Sequence, residues 1–177
     1  MSFNELEKKR YSCRNYSDKK VKMDDLRKIV NAGRISPTSR NSQPISYYVV
    51  TSNENVLEMR KDVQALGGNA FCENVSAFIV LTIDQESYEN KLAGNRDYTG
   101  INTGIVAHAM CLEATDLGLA TCMLGRFDRK LVAKMIDFKE EESERIMLVI
   151  AIGYSNDKEI QDKDERRKTM EEVTKYL

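Results

Sequence analysis

The chain has 177 residues, with 27 Lys and Arg against 28 Asp and Glu and a net charge of −1. So even a balance argues against nucleic-acid binding, which uses a basic excess, and the length suits a single domain. Four cysteines, Cys13, Cys72, Cys111 and Cys122, form no C-x-x-C pair and read as free thiols in a reducing compartment. The start, Met1-Ser2-Phe3-Asn4-Glu5, lacks the pattern of a signal peptide. The longest apolar run, Ile146 to Ile152, is too short to span a bilayer. The expectation is a cytoplasmic protein with no membrane partner.

Phe3 to Lys9 is predicted as a short helix with Phe3 and Leu6 inward. It runs into Arg10-Tyr11-Ser12-Cys13-Arg14-Asn15-Tyr16. In an extended chain Arg10, Ser12 and Arg14 fall on one side. Two guanidiniums and a hydroxyl suit a phosphate or another anionic edge; the same pattern also fits a solvated surface turn. Asp24 to Ile35 reads as a helix with Leu26, Ile29 and Val30 buried, ending where Ser36 precedes Pro37. The only prolines, Pro37 and Pro44, bracket Thr38-Ser39-Arg40-Asn41-Ser42-Gln43. A stiff polar loop of this kind can hold a ligand or simply join helix to strand. Tyr47 to Thr51 follows as a strand. Val56 to Leu66 reads as a helix broken at Gly67-Gly68, and Asn69 to Asn74 as a connector. Ala77 to Ile83 is nearly all apolar, which places it centrally in a sheet. Asp84 to Arg96 is polar and irregular, with weak helical character.

The stretch from Asp97 to Gly125 organises the rest. Ile101, Ile105 and Leu112 on one side, and Val106, Met110 and Leu117 on the next, predict a helix buried nearly all round. Its third side is a stripe of small residues: Gly100, Gly104, Ala107, Cys111, Ala114 and Gly118. Glycine is costly inside a helix, so the stripe implies close approach of another backbone. That backbone is either the same helix of a second subunit across a two-fold axis or this chain's own sheet. Gly118 suits a C′ position. Leu119 to Leu124 reads as a short strand closing on Gly125, which leaves backbone N–H groups bare. Asp128 is placed to cap a helix through Ile136, with Leu131, Val132, Met135 and Ile136 inward. Ile146 to Gly153 is a second buried strand. Asn156 to Lys168 is highly charged, and Met170, Val173 and Leu177 then return an apolar spacing. Such a tail is expected to reach across to a partner.

Much chemistry is missing. The sequence has no H-E-x-x-H and no Cys/His cluster, so no metal site is expected. It has no G-x-S-x-G elbow, no P-loop and no G-x-G-x-x-G. The single histidine, His108, reads as a hydrogen-bonded core residue rather than a catalyst. An enzyme built this way would borrow its reactivity from a bound cofactor.

Five segments in order resemble the nitroreductase family of FMN-dependent oxidoreductases. Arg10-Tyr11-Ser12-Cys13-Arg14 resembles the family's Arg-x-Ser-x-Arg/Lys motif. Pro37 to Pro44 resembles its Pro-Ser-x-x-Asn-x-Gln-Pro loop. Asp97, the long helix, Gly118-Leu119 and Cys122 to Asp128 resemble its central helix and the loop that meets the flavin. Ile150 to Tyr154 resembles the last core strand, and Arg167 to Glu172 the tail. The resemblance spans nearly the whole chain. It implies an α+β fold over residues 1–177, with a mixed central sheet flanked by helices on both faces. It also implies a two-fold homodimer with FMN at the interface and an arm from about 156 to 177 reaching the partner.

The implied activity is ping-pong transfer from NADH or NADPH through FMN to a nitroaromatic, a quinone or a similar small acceptor. By this resemblance Arg10 and Ser12, with Arg167, hold the phosphate, a role that Arg166, Lys163 or Lys168 shares, and Tyr11 is a further cofactor-binding residue. Ser39, Asn41 and Gln43 lie along the ribityl chain and ring edge. Arg14 sits by the pyrimidine edge, and Met123, Leu124 and Gly125 meet the ring, with the N–H of Leu124 or Gly125 toward flavin N5. No side chain is assigned a catalytic role; Arg14 tunes the flavin electrostatically. Two other classes share parts of this pattern: a flavin storage or sensor protein, and a cofactor-free dimeric interaction protein. The chain departs from the family in Ile45, where Trp is frequent, and in Glu165, where the tail motif carries a base. Asp84 to Arg96 is also shorter than the insertions of larger relatives.

Overall fold

The computed structural model describes residues 2–84, 98–139, 144–158 and 167–177. The expectations for the stretch after Asp84 as far as Asp97, and for Lys163, Glu165 and Arg166, lie outside the described residues. In chain order the elements are α1 (Phe3–Lys9), α2 (Met23–Arg34), a 3₁₀ turn (Ser39–Asn41), β1 (Ile45–Val50) and α3 (Asn53–Gln64). A second 3₁₀ turn (Ala70–Asn74), β2 (Ala77–Asp84), α4 (Thr99–Asp116) and β3 (Ala120–Leu124) follow. The last are α5 (Arg129–Met135), β4 (Glu144–Gly153) and α6 (Met170–Val173).

The strands form one sheet in the order β1-β2-β4-β3, and all three ladders are antiparallel. The sheet expected to be mixed is thus antiparallel across its four strands, and outside them Ser12 forms an isolated parallel bridge to Thr121. The central pair, β2 and β4, is buried on both faces, as an all-apolar run demands. Phe78, Val80, Val149 and Ala151 face one core, with Val56, Met59 and Val63 of α3 and Val132 of α5. Ala77, Ile79, Leu81, Ile150 and Ile152 face the other, with Leu26 and Ile29 of α2 and Val106 and Met110 of α4. The register shifts between Leu81 and Thr82, whose partners are Leu148 and Ile146. The extra residue, Met147, is a bulge, which is why Ile146 keeps the same face as Val149.

Local signals set the ends. Ser2 and Glu5 form a reciprocal capping box on α1. Asp128 accepts from the N–H groups of Lys130 and Leu131 at the start of α5. Gly118 has φ +75°; its N–H donates to Thr115 O and that of Leu119 to Ala114 O. That is the Schellman ending a C′ glycine permits. Gly33 has a different use. A Cβ there would stand 2.9 Å from Cγ and Sδ of Met110 and 3.1 Å from Cε1 of Tyr47. The absence of a side chain lets α2 lie directly on α4.

Three expectations fail on orientation. Phe3 points outward at 65 % exposure, because seven-residue α1 rests on α4 through one side only. Leu131 is likewise outside, with Ala133 taking its place beside Val132. Above all, α4 is not buried all round. Ala107, Cys111 and Ala114 pack on this chain's own sheet, whereas Gly100 and Gly104 are exposed and a Cβ on either would meet nothing within 4 Å. Beside them Ile101 and Ile105 are exposed at 56 % and 39 %. The small-residue stripe thus divides between an inner and an outer face.

Candidate functional site

The segment from Arg10 to Tyr16 runs beside the edge strand β3. Ser12 bridges Thr121, the Cys13 N–H donates to Thr121 O, and Tyr16 bridges Ser155. Covering that edge is itself a structural service. The alternation predicted from the sequence holds: Cys13 and Tyr16 are buried, and Ser12 and Arg14 are exposed. Tyr11 turns toward the end of β4, where its hydroxyl meets Ser155 Oγ at 2.5 Å and Asp157 Oδ2 at 2.9 Å. Burial pushes that phenol up. Asn15 Nδ2 donates to Asp157 Oδ1 at 2.9 Å. Tyr11 therefore clasps the segment in place, with Ser12 and Arg14 carried on the outside and Arg10 half-buried against Glu7.

Arg10 lies at the C-cap of α1, its Nε 3.7 Å from Glu7 Oε2. Glu7 Oε1 is 2.6 Å from His108 Nε2 on α4. His108 is hydrogen-bonded as expected but is not in the core: its side chain is 44 % exposed, because it faces α1 rather than the sheet. Arg14 Nη1 donates to Ser12 O at 3.3 Å, and its guanidinium carbon lies 5.6 Å from the centre of the Phe71 ring.

β3 leads directly past this segment. Leu124 is buried and paired with Val149, the last rung; Met123 is partly exposed; Gly125 stands past the ladder with open space on its Cβ side. The turn beyond Gly125 is tied down twice: Arg126 O accepts from Asn69 Nδ2 at 2.8 Å, and Arg126 Nη2 donates to Leu66 O at 3.0 Å.

The loop from Pro37 to Pro44 is the second assembly. Arg40, Asn41 and Gln43 have φ of +49°, +59° and +51°. Three left-handed non-glycine residues in four positions store strain of a kind that clusters at functional sites. The loop is held by Ser39 N–H to Asn102 Oδ1 on α4 at 3.0 Å, and by Gln43 N–H to Thr38 Oγ1 at 3.0 Å. Asn41 and Gln43 side chains are exposed, joined by a 3.3 Å bond from Gln43 Nε2 to Asn41 O. Behind the loop lies a cavity of about 120 Å³, lined by Gly33, Arg34, Thr38, Gln43, Ile45 and Tyr47. Ser42 Oγ is buried without a hydrogen-bond partner.

The loop meets α4 at Asn102, and α1, which leads into the basic segment, meets it at His108 through Glu7. At 1.5 Å per residue the two are separated by roughly 9 Å or more along the helix. Arg167 is exposed, and Arg166 lies outside the described residues. Sequence reasoning did not identify Phe71, Asn69, Asn102 or Glu7 as contacts of these groups. Asn69 after Gly67-Gly68 carried a signal, since its φ of +58° is a conformation Asn tolerates; the other three depend on tertiary contact alone. The buried thiols take no part: burial holds Cys111 and Cys122 up and pushes Cys72 up to about 12, so they stay protonated. Among the described residues no group of His, Cys, Asp or Glu is placed to hold a metal, and no helix is long and apolar enough to cross a membrane.

The nitroreductase family model matches residues 8–74 and 56–154, which include both assemblies. The chain belongs to the nitroreductase family. A nitroreductase family protein from Clostridium difficile 630 is 28 % identical, covers 99 % of this chain and 98 % of its own, and superposes with a TM-score of 0.85. An FMN-dependent nitroreductase from Clostridium difficile R20291 shares the fold at 22 % identity, 97 % and 96 % coverage and a TM-score of 0.77. A Streptococcus pyogenes protein provisionally named an NAD(P)H nitroreductase is 25 % identical over 89 % of this chain and 92 % of its own. These nitroreductase relatives match along nearly their full length, so the α+β architecture is that of the family.

Proposed function

We propose that the protein is an FMN-dependent oxidoreductase that takes electrons from NADH or NADPH and passes them, by a ping-pong mechanism, to a nitroaromatic, a quinone or a similar small acceptor. The observation that carries this reading is the pairing of the basic segment with β3, which joins Ser12 to Thr121 and so attaches Arg10 and Arg14 to the strand that ends before the exposed Gly125. The donor set fits the cofactor. Guanidiniums and a hydroxyl suit a phosphate dianion, bare N–H groups suit a ring nitrogen, and amide side chains at Asn41 and Gln43 suit a polyol chain.

Arg10 and Ser12 bind the phosphate, with Arg166 and Arg167 of the tail as further cations. The 3.7 Å contact of Arg10 with Glu7 is of the weak, partly exposed kind that a dianion can displace. Tyr11 keeps the segment straight. Ser39, Asn41 and Gln43 would hold the ribityl chain and ring edge; Met123, Leu124 and Gly125 would meet the ring, with the N–H of Leu124 or Gly125 toward N5. Arg14 stabilises negative charge at the pyrimidine edge. No protein base is required, because bound FMN supplies the hydride-accepting chemistry and solvent supplies protons.

We further propose that the working form is a two-fold homodimer. Gly100, Ile101, Gly104 and Ile105 make an open apolar face on α4. Met170, Val173, Tyr176 and Leu177 are exposed in the tail. Exposed apolar groups on this scale mark an interaction surface, and small residues let two helices approach closely. Acid release and chromatography of the bound flavin test the cofactor: FMN is expected, and FAD, a covalently attached flavin or a colourless protein would contradict the reading.

A further inference from the structure

We infer that Phe71 is a positioning residue for Arg14, so that the turn from Leu66 to Phe71 sets the redox properties of the site without touching the cofactor; the inference rests on the role proposed for Arg14. Arg14 is exposed and its segment is extended, so little in its own backbone fixes a four-bond side chain. Two contacts do: the 3.3 Å bond to Ser12 O and the Phe71 ring 5.6 Å beneath the guanidinium. The ring face attracts a cation and, being flat, favours one plane of the fork.

The platform is itself anchored. Phe71 packs partly buried against the core that holds Cys13, Cys72 and Cys122. Asn69, two residues earlier, takes a left-handed φ and spends its Nδ2 on Val63 O at 2.9 Å and Arg126 O at 2.8 Å. Arg126 returns a bond to Leu66 O. One turn therefore grips both the cation beside Ser12 and the backbone that follows Gly125. A shift of this turn moves both sides of the site together.

The test is a double-mutant cycle on the reduction potential of the FMN-loaded protein, using Phe71→Leu, Arg14→Gln and the pair. Leu keeps apolar volume and removes the ring face. Loss of an exposed cation–π contact of ~0.5–1 kcal/mol lowers the weight of the positioned Arg14 side chain about two- to five-fold, which sets the upper bound on the change in the affinity ratio for reduced over oxidised FMN. For two electrons that is a fall of up to about 10–20 mV. Phe71→Leu should show this fall in the wild-type background and none in the Arg14→Gln background, and Phe71→Tyr should keep the wild-type potential. An unchanged potential in Phe71→Leu, with Arg14→Gln lowered, overturns the inference and leaves the role of Arg14 standing. An equal fall in both backgrounds also overturns it, since the ring would then act without Arg14. Arg14→Gln at the wild-type potential overturns the role of Arg14 and this inference with it.

Discussion

The two halves of α4 have similar composition and opposite surroundings. From Val106 to Ala114 the small residues Ala107, Cys111 and Ala114 press on β2 and β4 and are buried. From Gly100 to Ile105 the small residues look outward, with Ile101 and Ile105 beside them. The closed half is explained by this chain's interior. The open half has no such explanation in one chain, and the loop from Pro37 to Pro44 is fastened beside it through Asn102. A helix pattern can therefore state that close packing occurs without stating against what.

Substitution in the two halves separates the two packings. Ala114→Leu forces three extra carbons into a filled core, at roughly 1–3 kcal/mol. It should lower the melting temperature of the chain by about 2–4 °C per kcal/mol, whatever the state of association. Gly104→Leu meets open space in the single chain and replaces a poor helix former. It should leave the unfolding of the monomer unharmed while raising the dimer dissociation constant at least five-fold and weakening FMN binding with it. Sedimentation and denaturant unfolding, run together on both variants, check this. A Gly104→Leu protein that stays dimeric would show that the open face is not the interface.

Next in size are the cations of the basic segment. A charge pair at ~4 Å and an effective dielectric near 20 is worth ~4 kcal/mol, and an exposed Arg14 should deliver about 1–2 kcal/mol of that difference. Arg14→Gln is expected to lower the flavin potential by roughly 20–40 mV with FMN still bound. Arg10→Gln is expected to weaken FMN binding and leave the potential of the bound flavin nearly unchanged, because phosphate charge does not change in the reaction. Dye-referenced titration of both proteins at saturating FMN decides it; exchanged phenotypes would reverse the roles. The smallest effect belongs to His108. His108→Gln keeps a donor for Glu7 and should keep most of the turnover. A fall of ~10²–10⁴-fold, the range for losing a general acid–base, with FMN still bound would show that His108 acts in catalysis.

The sequence exposed what depends on period and local chemistry. Continuous apolar runs marked β2 and β4, Gly118 and Asp128 marked helix ends, and alternation set Ser12 and Arg14 outside around a buried Cys13, while Arg10 turned half-buried toward Glu7. It did not expose what depends on neighbours brought from afar. Phe3, Ile101 and Ile105 are apolar yet outside, since hydrophobicity says that a surface is to be covered but not by which molecule. His108 sits mid-helix among apolar residues, and only the arrival of α1 shows that its partner is Glu7. Tyr11 shares a motif with Arg10 and Ser12 but is turned to Ser155 and Asp157, contacts more than 140 residues away in sequence.

An anaerobic titration of the purified, flavin-loaded protein with NADH and with NADPH, followed by a nitroaromatic or quinone, tests the proposed function most directly. The account predicts that at least one nicotinamide bleaches the flavin absorbance in stoichiometric amounts and that the acceptor restores it. A flavin that stays oxidised under both nicotinamides would contradict the enzyme and leave a flavin-holding protein of the same fold.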